Sequence, residues 1–367
     1  VYDPPAVGYA VRVTRTLVMG DPQAPFGKLI EILEHHGALT DGRLASDVVL
    51  VSIGDHFDYD FRDWHTAGQD GLRFLRWLTS HDDAQVKLLL GNHDVSRVME
   101  LVAITDERFA EARAFAQALD GDVARDARFR AAFPELPSAG LAGRDFASFS
   151  AEQRALVMEL LLAGRFHLAL VGDLPCGRRA LLTHAGITNR ELDMLGVAAE
   201  PGVIAGALEA HLGAAVERVR ADWTRGIPTP LSLEPLHVAG IPGEEGGGLL
   251  YHRPSNPERP DADRRWELAR ARPRRFDPRT LPSGLVQIAG HSGHNKCLDE
   301  LGAWATEAAH GRKHGGIRTL RLAGATVTYD LGVAPPANDA ADLILIDGEA
   351  RRVPASEVAL LPLSQLV

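Results

Sequence analysis

Cysteine is nearly absent from this 367-residue chain, with Cys176 and Cys297 as the whole complement. Two cysteines cannot build a disulfide framework, so a reducing cytoplasmic setting is the expectation. No apolar run approaches the roughly 20 residues that span a bilayer. The opening Val1-Tyr2-Asp3-Pro4-Pro5 lacks the charged and apolar regions of a secretion signal. No membrane association is therefore expected. A basic excess is lacking as well: the formal net charge is -10. That weighs against a nucleic-acid partner, because phosphate backbones demand a basic footprint. The chain has no repeat of fixed period and no low-complexity tract. Its composition is that of an ordinary globular protein, long enough for a substantial core.

What the chain does have is one pattern used five times. Val48-Val49-Leu50-Val51-Ser52-Ile53 runs into Gly54-Asp55-His56-Phe57-Asp58. Such a β-branched and aliphatic run reads as a buried strand of a sheet covered on both faces. Arg15–Met19 runs into Gly20-Asp21, and Lys87–Leu90 into Gly91-Asn92-His93-Asp94. Ala180–Thr183 runs into His184-Ala185-Gly186, and Leu285–Ala289 into Gly290-His291-Ser292-Gly293-His294. Each strand thus delivers an Asp, Asn or His at its C-terminal tip, where open α/β sheets place their ligands.

Between these strands the spacing predicts helices over Phe26–His36 and Gly68–Thr79, giving a β-α-β-α-β opening with right-handed, mainly parallel crossovers. Residues 95–165 change character, with helical periodicity at Phe109, Ala112, Ala116 and Leu119 and a capping box at Ser150-Ala151-Glu152-Gln153. They read as a helical insertion within a single domain spanning 1–367. Residues 1–15 read as an irregular lead-in, the Pro- and Arg-rich 254–282 as a surface wrap, and 317–346 as a terminal β-meander.

The strand-tip residues suit metal chemistry. Two divalent cations at the roughly 3.5–4 Å separation of dinuclear sites repel one another, so a carboxylate shared between them is close to obligatory. Borderline metals also favour mixed imidazole nitrogen and carboxylate or amide oxygen ligands. The five blocks, from Asp21-x-Gln23 to Gly290-His291-Ser292-Gly293-His294, resemble those of the calcineurin-like metallophosphoesterases. Two details resemble the phosphoprotein-phosphatase branch with its bacterial Shewanella-like members: His184-Ala185-Gly186, and Gly247-Gly248-Leu249-Leu250-Tyr251-His252-Arg253. The resemblance implies a four-layer α/β/β/α sandwich and two divalent metal ions, with Mn first and Fe, Zn or Ni as options. It implies that Asp55 bridges the metals, that Asp21 and Gln23 serve the first, and that Asn92, His184 and His291 serve the second. It further implies general acid catalysis by His93 oriented by Asp58, and phosphate binding by Arg253 with Asn92.

The chain departs from the family pattern at two places. Gln23 stands where the family usually has histidine, which makes His294 a candidate to help hold the first metal. Tyr59 stands where much of the branch has arginine, which makes Arg62 and Arg97 candidates to supply that charge. Histidines outside the blocks (His56, His237 and His252 among them) read as surface or packing residues. Asp330-Leu331-Gly332 resembles the family's closing strand and turn. The expected activity is hydrolysis of a phosphomonoester, from a phosphoprotein or a small molecule, by in-line attack of metal-bound hydroxide. The alternatives are a diadenosine polyphosphate or nucleotide pyrophosphohydrolase, a non-catalytic scaffold, and a DNA-processing nuclease. The sequence does not reveal the oligomeric state.

Overall fold

The computed structural model describes residues 14–259 and 272–367. The lead-in expected over the first residues, and much of the expected surface wrap, lie outside the described residues. Along the first half run β1 (Arg15–Met19), α1 (Phe26–His35), β2 (Val48–Ser52), α2 (Trp64–Thr79), β3 (Val86–Leu89) and the one-turn α3 (Asn92–Val95). The helices α4 (Asp106–Ala118), α5 (Arg125–Ala132) and α6 (Ala151–Leu162) follow, then β4 (Phe166–His167), β5 (Ala169–Asp173) and β6 (Arg179–Thr183). The second half brings α7 (Asn189–Leu195), α8 (Pro201–Thr224), β7 (Val286–Ala289), α9 (His294–Leu301), β8 (Arg318–Ala323), β9 (Thr326–Leu331), β10 (Ala341–Leu345), β11 (Leu361–Leu363) and β12 (Gln365–Leu366).

Side-chain alternation assigns each strand two faces. Leu17 and Met19 of β1 and Leu50 of β2 point to one apolar cluster, with Leu29, Ile32 and Leu33 of α1 and Leu72, Leu75 and Leu78 of α2. The intervening Val18 and Val51 point the other way, into a cluster with Ala180, Leu182, Val286, Ile288 and Ile344. That second cluster lies between two sheets. One has the order β11-β1-β2-β3-β4, the other β9-β8-β10-β7-β6-β5-β12. On the far side of the second sheet, α8 packs on β5 and β6. There α9 packs Cys297, Leu298 and Leu301 against Leu320, Leu343 and Leu345. The layers run helix, sheet, sheet, helix, as the resemblance implies.

The register puts the tips together. β1, β2 and β3 are mutually parallel, and β6, β7 and β10 are mutually parallel in the second sheet. Six strands therefore end along one edge of the sandwich.

Residues 95–165 contain only helical elements; α4 and α5 close on an apolar cluster around Phe109, Phe129, Phe146 and Phe149, while α6 packs Val157, Leu160 and Leu161 into the main cluster. The capping box forms: Ser150 Oγ accepts from Gln153 N, and the Gln153 side chain returns to Ser150 N. Helix α2 begins a turn earlier than its apolar spacing suggests, because the Asp63 side chain caps it by accepting from Thr66 N. No helix among the described residues is long and apolar enough to cross a membrane.

Candidate metal centre

Glycines at the strand tips let neighbouring motifs approach. A Cβ on Gly91 would lie 2.2 Å from Asp55 Oδ1, and one on Gly290 would lie 2.0 Å from Asp21 Oδ1. Each glycine thus leaves room for the carboxylate of another block. Asp55, Asp58 and His291 have positive φ angles of 61°, 66° and 59°, a region non-glycine residues enter at a cost and mostly at functional sites. Asp94 pins the second and third blocks together. Its carboxylate accepts from Gly91 N at 2.9 Å, Asp55 N at 3.0 Å and His56 N at 3.1 Å.

Asp55, His184 and His291 bring ligand atoms within 4.8 Å of one another, all buried. The ring orientations are fixed from behind. His184 Nδ1 donates to Ile53 O at 2.8 Å, and His291 Nε2 donates to Tyr251 O at 2.9 Å. A carbonyl can only accept, so each ring, when neutral as a metal ligand must be, turns its other nitrogen toward the centre as a lone pair. The Asn92 amide oxygen lies there too, 3.2 Å from His184 Nε2. The same position is 2.8 Å from His291 Nδ1, 3.3 Å from Asp55 Oδ2 and 3.3 Å from Leu250 O. Five electron-pair donors of mixed nitrogen and oxygen character thus face one another. Mixed imidazole, carboxylate and amide groups converging on one point suit a divalent cation. The residues fit a metal.

Toward the other sheet edge, Asp21, Gln23, Asp55 and Asp347 line a cavity of about 440 Å³. Asp21 accepts from His291 N at 2.9 Å through both oxygens. Burial, and then the charges of Asp347 and Asp55, push its pKa well above the carboxylate range. Burial also lifts Asp347, to about 6. For Asp55 burial acts upward too, but His184 and His93 outweigh it and hold the carboxyl low. Gln23 Nε2 donates to Phe57 O at 3.1 Å, which leaves its oxygen for the cavity.

His93 projects from the same tip. Its Nδ1 donates to Asp58 Oδ2 at 2.9 Å, and its Nε2 lies 3.8 Å from Asp55 Oδ2. Burial opposes its protonation, yet Asp55 and Asp58 together raise its pKa. Asp58 is heavily committed: Arg97 Nη2 lies 2.7 Å away, and Ser148 donates to Asp58 Oδ1 from N at 3.0 Å and from Oγ at 2.6 Å. Burial pushes Asp58 up, but Arg97 and then His93 overcome it and hold it below its ordinary value.

Asp21, Gln23, Asp55, Asp58, His93, Arg253 and His291 all line the cavity, and Asn92 and His184 lie buried directly behind it. His294 does not join them. It is turned away, with Nε2 3.1 Å from Gly316 O and Nδ1 3.2 Å from Tyr329 Oη, because α9 starts at this residue and carries the ring back into the core. Of the two candidate arginines, Arg97 is fully buried against Asp58, while Arg62 is exposed. Asp330 sits exposed on the edge strand β9; the acid at a strand tip by the cavity is Asp347, beyond β10. Sequence reading missed Asp347, although Leu343–Ile346 followed by Asp-Gly repeats the signal of the other blocks. It also missed Arg144 and Asp145, cavity-lining residues from 95–165, and Lys296.

A second polar constellation has another part to play. Ser52 Oγ lies 2.9 Å from His56 Nε2, and His56 Nδ1 lies 3.0 Å from Asp94 Oδ1. This is the relay of a nucleophilic hydrolase in outline. All three are buried and none lines the cavity, so the network braces the strand tips.

Comparison with known proteins gives one family and a few distant structures. The family model described as calcineurin-like phosphoesterase matches residues 14–186. No curated protein sequence matches the chain. Among solved structures, the chain is similar to a point mutant of a cold-active protein tyrosine phosphatase, at 15% identity over 92% of this chain and 72% of that chain, with a TM-score of 0.37. It is also similar to the cold-active protein-tyrosine phosphatase of a psychrophile, Shewanella sp., at 13% identity over 92% of this chain and 72% of that one, with a TM-score of 0.32. Likeness at this level says nothing about substrate.

Proposed function

We propose that this chain, whose residues 14–186 match the calcineurin-like phosphoesterase family model, is a metal-dependent phosphoesterase that hydrolyses phosphomonoesters at a dinuclear centre. The observation that carries this reading is the position of Asp55. One oxygen lies 3.4 Å from His184 Nε2 within the His184–His291–Asn92 donor set, and the carboxylate also lines the cavity beside Asp21 and Gln23. A carboxylate placed between two donor sets is what a shared ligand requires. Asn92, His184 and His291 would hold one cation, and Asp21 with Gln23 the other. Mn is the first choice of metal, with Fe, Zn or Ni as alternatives. When bound, two such cations supply Lewis-acid stabilisation of the phosphoryl oxygens and lower the pKa of a nucleophilic water.

The chain's own residues do the rest. Arg253 places a guanidinium on the cavity wall, its Nε buried without a partner among the described residues, and the planar fork suits the binding of phosphoryl oxygens. His93 Nε2 faces the reaction centre while Nδ1 is held by Asp58, so a proton on Nε2 is placed for the leaving alkoxide. The natural substrate is a phosphoprotein or a small phosphomonoester. The test compares phosphate release from p-nitrophenyl phosphate, a phosphopeptide and diadenosine tetraphosphate after Mn loading. Monoester turnover well above the dinucleotide supports the reading. Preferential cleavage of diadenosine tetraphosphate would move the enzyme to the pyrophosphohydrolases, and absence of any turnover would refute it.

A further inference from the structure

Most cations lining the cavity are already neutralised by carboxylates. Arg144 Nε donates to Asp145 Oδ1 at 2.7 Å, Arg352 Nε is 3.0 Å from Glu349 Oε1, and Arg351 Nη1 is 3.8 Å from Asp60 Oδ2. Arg253 and Lys296 differ. Among the described residues neither side chain has an ion pair within 4.0 Å, and no hydrogen bond is formed by either; Arg253 Nε is buried without a partner.

Lys296 sits where stability alone would not choose a cation. It is the third residue of α9, inside the first turn, where the helix dipole favours acids and opposes positive charge. Its side chain is exposed, and its strongest electrostatic neighbour is another cation: the charge of Arg253, ahead of burial, holds the ammonium down to about 8. Asp145 and Asp347 attract it only from beyond ion-pair distance. Two positive groups lining one cavity, without an ion pair among the described residues and one of them on the wrong helix end, form an arrangement that an anion between them would relieve. Local rules broken without local compensation are most often broken at binding sites.

The geometry points to Lys296 as a second phosphoryl-binding residue, which pairs with Arg253 to select the dianionic terminal phosphoryl group of a monoester over the monoanionic group of a diester. The inference rests on the phosphoesterase reading. It adds a reason for that choice of substrate, since the second ionisation of a phosphoryl group falls near pH 6 and a monoester then carries the extra charge that a second cation can read.

The experiment measures calorimetric binding of inorganic phosphate to the Mn-loaded protein, with Lys296→Met and Lys296→Arg compared to wild type. Loss of one charge-assisted contact at a partly solvated site should weaken phosphate binding about tenfold in Lys296→Met. Lys296→Arg should recover most of it, with metal content equal in all three. The preference for p-nitrophenyl phosphate over bis(p-nitrophenyl) phosphate should narrow by a similar factor in Lys296→Met. Phosphate affinity within about twofold of wild type, an unchanged ester preference, or no phosphate binding by wild type would each overturn the assignment. If wild type hydrolyses no phosphate ester yet phosphate binding weakens as expected, the anion site stands and the phosphoesterase reading falls. Normal turnover with unaffected binding removes Lys296 alone.

Discussion

Replacing Asp58 by asparagine changes one oxygen to an amide nitrogen and very little else in shape. The surroundings make the change severe. Asp58 Oδ1 accepts from Ser148 N and Oγ, and Oδ2 accepts from His93 Nδ1 and faces Arg97 Nη2. Both ends therefore meet an obligate donor, the Ser148 amide on one side and the Arg97 guanidinium on the other. Whichever way an asparagine amide is turned, its NH2 confronts one of them. Arg97 also loses its counter-charge while wholly buried, and it is left with Gln153 Oε1 at 3.1 Å, Ser96 Oγ at 3.2 Å and His93 O at 2.6 Å. Breaking a buried pair from one side costs about 3–5 kcal/mol. The remaining acceptors around Arg97 place Asp58→Asn at the lower end, about 3 kcal/mol. Urea unfolding with an unchanged slope measures that loss. For the folded fraction, loss of an oriented general acid should cost about 100-fold or more in turnover of an alkyl phosphate. It should cost much less for p-nitrophenyl phosphate, whose leaving group needs no proton. A stability change below about 1 kcal/mol, with equal rate losses on both esters, would refute the dyad.

Gln23→His should tighten the weaker of two Mn sites by about an order of magnitude, because imidazole is the better ligand for borderline metals; calorimetric titration reads this, and an unchanged affinity would mean Gln23 holds no metal. His237 is buried, stacked on Tyr251, and carries an Nδ1 without a partner among the described residues. Burial, then the His252 and His184 charges, lower its pKa to about 3. Between that value and the ordinary 6.5, only the unfolded chain takes up the proton, so stability is intact above about 6.5 and declines as pH falls. His237→Phe keeps the stacking and should flatten the acid side of the urea-midpoint profile between pH 6.5 and pH 5 by up to about 1.4 kcal/mol per pH unit; identical profiles would show that His237 is already charged in the folded state.

The strand-tip donors were legible in the sequence because two local signals coincide at each: an apolar run that ends, and a glycine before or after the polar residue. Asp347 carries the same signal, and Asp330-Leu331-Gly332 offers a competing acid-and-glycine turn after a strand. Only pairing separates the two, since β10 lies centrally beside β7 whereas β9 is an edge strand. Lys296, Ser148, Arg144 and Asp145 carry no such mark. Their places at the site come from contacts across long stretches of chain, as when Ser148 reaches Asp58 over 90 positions, and periodicity does not encode such contacts. His294 shows the opposite failure. The departure at Gln23 makes it a candidate ligand, but α9 starts at His294 itself and turns the ring into the core.

Anomalous diffraction from a Mn-loaded crystal addresses the shared-carboxylate centre most directly. Two peaks roughly 3.5–4 Å apart, with an Asp55 oxygen on each and His184, His291 and Asn92 grouped around one of them, are the predicted result. A single peak, or a pair that Asp55 does not touch, would contradict it.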